Sequence, residues 1–185
     1  TAAISYSWMS ELYSRAPYVS DRDRVQLDAE GSIQYGMYYW DDNYSDSHVF
    51  AEGECLRKTF DPDFMLYHTM AVDEWGHMKG ADSAEYANAV AAVGHLIAAR
   101  MPEWLEKGYQ VVVTADHGMN NLGIHVGTEH AQREVALYIF SDKVENGRFE
   151  ENYISQLNVA PLVCKLMGVP ATEGMKQELE IVFSK

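Results

Sequence analysis

The chain has 185 residues, 47% of them hydrophobic and 12% aromatic, enough for one globular domain with its own core and cramped for two. Its 28 acidic residues outnumber 14 basic ones, giving a formal charge of -14. That balance excludes a generic nucleic-acid-binding surface, because phosphate backbones are gripped by clustered Lys and Arg, and no run approaches the roughly 18 apolar residues of a membrane span.

The first thirty residues are ambiguous: "AISYSW" suits a strand, and "PYVSDRDRVQLDAEGS" reads as a polar loop. "IQYGMYYWDD" suits a strand or a packed loop. A helix is predicted from Asp46 to Thr59, with Val49, Ala51, Cys55 and Leu56 as its buried residues. Pro62 ends that pattern, and Phe64 to Met70 forms an apolar run that suits a strand covered on both faces. Asp73 and His77 follow just beyond its carboxyl end. From Ser83 to Leu105 the spacing predicts a long amphipathic helix, with Ser83 as N-cap and Ala89, Val90, Val93, Leu96 and Ile97 on one face.

Gly108 then resets the chain, and "YQVVVTAD" is the strongest strand signal, ending in Asp116 and His117. "REVALYIFS" predicts a further strand, "YISQLNVAPLVCKLMGVP" a helix with a proline near its first turn, and "LEIVFSK" a last strand. Strands alternating with helices argue for an α/β fold: an open, mostly parallel sheet with helices on both faces, where ligands lie beyond the carboxyl ends of the strands. Both acid and histidine pairs fall at that edge. No repeat of 20 to 50 residues and no low-complexity segment interrupts the pattern.

Cys55 and Cys164 lie far apart without C-x-x-C spacing, in apolar-periodic segments, and read as two buried free thiols. This leans the chain toward a reducing, cytoplasmic compartment, although a removed signal peptide would leave no trace. The opening "TAAISYSWMSEL" starts in mid-pattern without Met, the expectation for a fragment, a processed form or a trimmed chain.

Chemistry concentrates in two places. Asp73-x-x-x-His77, followed by Gly80, is a commonplace pair when taken alone. Asp116-His117-Gly118 is sharper, because adjacent side chains at a strand end reach one ion only where the chain turns abruptly, and Gly118 permits such a turn. His125 follows in "GIHVG", its flanking glycines allowing close backbone approach. Two carboxylates and three imidazoles suit zinc, with manganese as second choice, and five such ligands exceed what one tetrahedral ion takes. Two divalent ions, with further ligands from elsewhere, are therefore expected. His48 and His68 lack ligand partners at useful spacing, and His95, within the long helix, is expected to be packed or half exposed. Trp8, Trp40, Trp75 and Trp104 read as core or pocket walls, Trp75 lying between the two ligands of the first motif. Lys79 is a weak candidate for a phosphate contact.

"DEWGHMKGADSAEYANAV", "VVVTADHGMNNLGIHVGTEHAQREVALYIF" and "ISQLNVAPLVCKLMGVP" resemble three successive signatures of the alkaline phosphatase superfamily, nearest its type I phosphodiesterase/nucleotide pyrophosphatase branch. The likeness covers roughly residues 64 to 170. It implies a sheet incomplete on its amino-terminal side and a two-metal centre, usually zinc, that cleaves phosphodiester or pyrophosphate bonds of small nucleotide-like substrates. Asp73, His77 and His125 would hold one ion, and Asp116 with His117 the other. His130 is the local competitor for the place given to His125, and Val126 stands where the family often has a glycine. The resemblance also implies a further metal-binding Asp and a Ser or Thr nucleophile ahead of the first motif, and nothing around Thr1, Ser5, Ser7 or Ser10 matches that setting. The expectation is a single domain, residues 1–185, forming the carboxyl-terminal portion of a larger catalytic domain, inactive by itself and, with strands missing, prone to self-association. Related activities (phosphonoacetate hydrolase, phosphomonoesterase, sulfatase-like, phosphomutase) and a non-catalytic metal-stabilised module are the alternatives.

Overall fold

The computed structural model describes residues 1–147, 153–175, 179 and 181–184. They fall into two compact units, one formed by Thr1–Ala99 with His117–Glu134, the other by Arg100–Asp116 with Val135–Lys185.

The first unit is built on a four-stranded sheet in the order β2-β3-β1-β4, with β1 at Ala2–Tyr6, β2 at Val25–Leu27, β3 at Tyr35–Tyr39 and β4 at Met65–Tyr67. Strand β1 runs parallel to β3 and to β4, and β2 joins β3 antiparallel at one edge. The fold class expected from the alternation of strands and helices is thus present. Ala2, Ala3, Ile4 and Ser5 are all buried, so β1 is covered on both faces, which erases the alternation that would have marked it as a strand. Within the polar stretch read as loop, the chain forms a short helix α2 (Ser20–Asp23) and the edge strand β2.

Successive residues of β3 point to opposite faces. Tyr39 packs with Ile4 and with Val49 of helix α3 (Asp46–Phe60), a core completed by Met37, Met65 and Tyr67. Tyr38, on the other face, is fully buried where helix α1 (Ser7–Tyr13) packs on β3. In α3, Val49 and Leu56 are buried as expected, but Ala51 and Cys55 are exposed. Cys164 is half-buried, so neither thiol is sealed in a core. Of the tryptophans assigned to core or walls, Trp104 is buried, whereas Trp8 and Trp40 are exposed.

Helix α4 (Ala71–Lys79) starts four residues after β4 ends. Its first backbone N–H groups are met by the buried Asp46 carboxylate at the head of α3: Oδ1 accepts from Met70 N at 3.1 Å and from Ala71 N at 3.4 Å. A carboxylate at this end also complements the partial positive charge of the helix terminus. Burial nonetheless pushes the Asp46 pKa up, against the lowering effect of those two donors. Helix α5 (Ala84–Glu106) begins as predicted, with Ser83 Oγ accepting from Tyr86 N at 3.1 Å. Its buried side runs through Tyr86, Ala89 and Val93, and Val90 is exposed.

The second unit holds a two-stranded antiparallel ladder, β5 (Val111–Val113) with β6 (Tyr138–Phe140). The "VVV" run therefore pairs with "YIF" rather than adding a strand to the parallel sheet. The helix α6 (His130–Arg133) belongs to the first unit, and helix α7 (Val159–Met167) to the second. Leu162 and Leu166 of α7 form the second unit's core with Ile181, Val112, Ile139 and Phe183. The strand expected in "LEIVFSK" is reduced, among the described residues, to a single bridge between Val144 and Phe183. No helix among the described residues is long and apolar enough to cross a membrane.

Candidate metal centre

The first sequence motif lies on a helix rather than in a loop. The four-residue spacing of Asp73 and His77 on α4 puts both side chains on one face. His77 Nε2 lies 3.4 Å from Asp73 Oδ2. His125 arrives from a downstream loop that folds onto α4, and one ligand atom from each of Asp73, His77 and His125 lies within 4.8 Å of the others.

His117 adjoins this trio. Its Nε2 is 3.9 Å from Asp73 Oδ1, and its ring stacks on that of His125 with centroids 3.8 Å apart. The His77 ring meets His125 edge-on at 5.0 Å. Asp116 belongs to the second unit, where its side chain is exposed and its backbone carbonyl accepts from Gln156 Nε2 at 3.0 Å. His130, the competitor for the place of His125, opens α6 with its side chain 80% exposed and paired to Glu134. His48 and His95 are exposed, and His68 is engaged by the Tyr39 hydroxyl.

The hydrogen-bond partners fix how the imidazoles are presented. His77 Nδ1 lies 2.9 Å from the Gly123 carbonyl, which can only accept, so Nδ1 carries the proton. In the neutral ring Nε2 then bears the lone pair, and it faces the Asp73 carboxylate, another acceptor. His117 repeats the arrangement, with Nδ1 3.0 Å from the Gly118 carbonyl and Nε2 turned toward Asp73. Asp73 Oδ1 is buried and has no hydrogen-bond partner among the described residues. Acceptors converging at short range repel unless a positive charge lies among them, either a proton or a cation.

The donor set of two imidazoles and a carboxylate fits a divalent ion such as zinc. A tetrahedral ion with ligands at about 2.0–2.1 Å places its donors about 3.4 Å from one another. The Asp73–His77 pair already stands at 3.4 Å, and the widest spacing in the trio needs to close by no more than about 1.4 Å, since 4.8 less 3.4 is 1.4. Tyr86 on α5 is raised above the usual phenol pKa by burial and then by the Asp73 charge, which places its hydroxyl in the field of this carboxylate.

Glycines shape the loop, with a correction to the role expected of Gly118. Its φ is not positive; a Cβ there would run into the Ala131 carbonyl and stand 2.8 Å from that of Glu134, so close approach rather than a left-handed turn requires it. Gly123 is the left-handed residue, at φ +74°, and a Cβ there would stand 2.7 Å from the His77 carbonyl oxygen and 2.9 Å from that of Gly76. The sequence reading missed Asn120, which is buried in the same loop and hydrogen-bonded on every side, although "MNNLG" carries the turn chemistry that could have pointed to it.

The family model described as "Type I phosphodiesterase / nucleotide pyrophosphatase" matches residues 3–159. The chain belongs to this family. Curated relatives include the mouse (Mus musculus) GPI ethanolamine phosphate transferase 3, catalytic subunit, 27% identical over 157 residues that make up 80% of this chain and 14% of the relative. Its human (Homo sapiens) counterpart is 29% identical over 115 residues, 60% of this chain and 10% of the relative. A 2,3-bisphosphoglycerate-independent phosphoglycerate mutase of Wolinella succinogenes is 31% identical over 121 residues, 63% of this chain and 23% of the mutase. The chain thus spans between a tenth and a quarter of the length of these relatives. No solved structure matches significantly. Membership places the chain in the alkaline phosphatase superfamily.

Proposed function

We propose that the chain supplies part of a divalent-metal centre for hydrolysis of phosphodiester or pyrophosphate bonds in small nucleotide-like substrates. In this reading Asp73, His77 and His125 hold one ion. Asp116 and His117 contribute to a second on the strength of the sequence motif. The Ser or Thr nucleophile lies outside the chain, and residues 1–185 form the carboxyl-terminal α/β portion of a larger catalytic domain. The observation that carries the proposal is the convergence of acceptor atoms on Asp73, whose buried Oδ1 has no hydrogen-bond partner among the described residues.

Divalent ions bound there would neutralise charge on a phosphoryl oxygen and lower the pKa of an attacking hydroxyl or water. The chain's own residues contribute orientation and charge. The Gly123 carbonyl holds the His77 proton on Nδ1 and leaves Nε2 as donor of its lone pair. Asp73 supplies local negative charge on the rigid face of α4 that would attract a cation, and the cation would offset the repulsion between this acidic chain and a phosphate. A second reading, transfer of the phosphoryl group to an alcohol or within the substrate instead of to water, is favoured by the relatives, which are named as transferases and a mutase.

The test is elemental analysis of the purified chain after zinc loading and desalting, beside Asp73→Ala and His77→Ala. About one retained zinc, lost in both variants, is the expected result, and no retained zinc in the parent chain overturns the site. In the longer protein, faster cleavage of bis(p-nitrophenyl) phosphate than of the monoester supports the diesterase reading. The opposite order supports a monoesterase or mutase.

A further inference from the structure

We infer that Asn120 is a positioning residue for the metal centre: by closing the loop from Asn120 to Ile124 it sets the Gly123 carbonyl against His77 Nδ1, and so selects the tautomer that presents His77 Nε2 beside Asp73. The inference rests on the proposed cation site for its purpose, but the tautomer selection does not depend on it.

Both side-chain polar atoms and both backbone groups of Asn120 are engaged. Its side-chain Oδ1 accepts from Leu122 N at 3.0 Å and Ile124 N at 2.9 Å, and its Nδ2 donates to Glu129 Oε2 at 3.2 Å. Its backbone N–H donates to the Ile124 carbonyl at 3.1 Å. Its own carbonyl accepts from Gly123 N at 3.2 Å and from Ala81 N, just past α4, at 3.1 Å. The loop is thereby closed on itself and fastened to the end of the helix that carries His77. Gly123, which lies inside this closure between Leu122 and Ile124, has its conformation set by it, and the Gly123 carbonyl is the atom that His77 Nδ1 meets. Glu129 continues the chain of contacts, since its backbone N–H donates to Gln132 Oε1 while Gln132 Nε2 donates to the Ile124 carbonyl. A buried side-chain amide with its oxygen and its nitrogen both engaged favours one loop geometry, because another would leave those polar atoms buried without these partners.

An imidazole whose Nδ1 has no fixed acceptor distributes its proton between both nitrogens and turns about χ2. Loss of the Asn120 amide therefore acts on His77 through the Gly123 carbonyl, with no contact between residue 120 and the ion required. An outer hydrogen bond of this kind to a metal-bound histidine typically changes metal affinity by 10–100-fold.

The experiment compares the full chain with Asn120→Ala and with the reciprocal pair Asn120→Asp, Glu129→Gln. In the pair, the carboxylate keeps both backbone donors and the new amide of residue 129 restores the side-chain contact. Two readouts are taken on each protein: the His77 imidazole nitrogen shifts by NMR without metal, and zinc affinity by competitive titration against a chelator. The parent chain is expected to show a protonated Nδ1 and a lone pair on Nε2 of His77. Asn120→Ala is expected to shift that pattern toward mixed tautomers and weaken zinc binding at least tenfold, and the pair to return both toward the parent values. An unchanged His77 pattern in a folded Asn120→Ala overturns the inference even if zinc is bound by all three proteins. If Asn120→Ala does not fold, the pair decides: failure to keep the parent's His77 pattern overturns the inference. A changed His77 pattern in a chain that never retains zinc upholds the positioning role and defeats the metal site instead.

Discussion

Gly123→Ala offers a quantitative test of how the His125-bearing loop is seated on α4. At φ +74° an alanine is placed in the left-handed region, which costs roughly 1–2 kcal/mol. The added methyl would also stand 2.7 Å from the His77 carbonyl oxygen and 2.9 Å from that of Gly76. Both are backbone atoms of a helix, so no side-chain rotation relieves the overlap, and overpacking of this kind costs about 1–3 kcal/mol. Together the two effects give roughly 2–5 kcal/mol, a large part of the ~5–15 kcal/mol that stabilises an ordinary domain. Gly94→Ala is the matched control. It lies inside α5 with open space around the added methyl and no positive φ, so the same substitution should stabilise by about 0.5–1 kcal/mol. Both glycines lie in the first unit, so one urea transition monitored by circular dichroism reports on both. With a slope of about 2 kcal/mol per molar, Gly123→Ala should lower the midpoint by roughly 1–2.5 M and Gly94→Ala raise it by up to about 0.5 M. A Gly123→Ala midpoint within about 0.2 M of the parent would refute the close seating of the loop on α4.

Other substitutions separate the contributions of charge, capping and ligation. Asp73→Asn keeps the shape of the side chain and removes the charge that faces His77 and His117, so zinc affinity should fall by at least tenfold in competitive titration while the urea midpoint moves little. Asp46→Ala removes the acceptor for the first N–H groups of α4 and should cost about 0.5–2 kcal/mol in urea, whereas Asp46→Asn keeps that oxygen. Burial raises the Asp46 pKa, so its effect on stability is most favourable below the unfolded value and is lost as pH rises through the folded one. Asp46→Asn should therefore match or exceed the parent at pH 7 and lose that advantage near pH 3. Asp23 behaves in the opposite sense: hydrogen bonds from Arg22 hold its carboxyl down to about 2, so its contribution is present above about pH 4 and fades as pH falls toward 2. Asp23→Asn should flatten that part of the stability profile measured by urea titration across pH.

The legible parts of the sequence were those in which a single element's periodicity carries its own explanation. Val49 and Leu56 mark the buried side of α3, and Ser83 announces α5, because helical spacing and capping are local properties. Strand β1 was legible in "AISYSW" but only ambiguously, because residues covered on both faces show no alternation. The pairing partner of "VVV" was not legible, since strand partners are chosen over long sequence distances that a window of apolar residues does not encode. Asp73 and His77 were found by residue type and spacing, but their helix was not, because Gly76 inside a nine-residue segment weakens the helical signal. Asn120 escaped notice for a related reason. Of two adjacent asparagines in a polar turn, only the packing of the loop on α4 decides which is buried.

The geometry also explains why this site needs two kinds of scaffold. A helix face alone brings Asp73 and His77 together, yet four-residue spacing supplies only those two donors on that side. The third must come from a segment that approaches the helix backbone more closely than a side chain allows, and Gly123 makes that approach at the two carbonyls of Gly76 and His77. Gly123 therefore both seats the loop that carries His125 and, through its carbonyl, orients His77, so the proposed ligands would be coupled through the loop instead of being placed independently. Perturbing Asn120, Gly123 or His77 should consequently give effects on cation affinity that do not add, because each acts on one shared hydrogen bond. Asp46, which acts on the start of α4, should combine with any of them nearly additively.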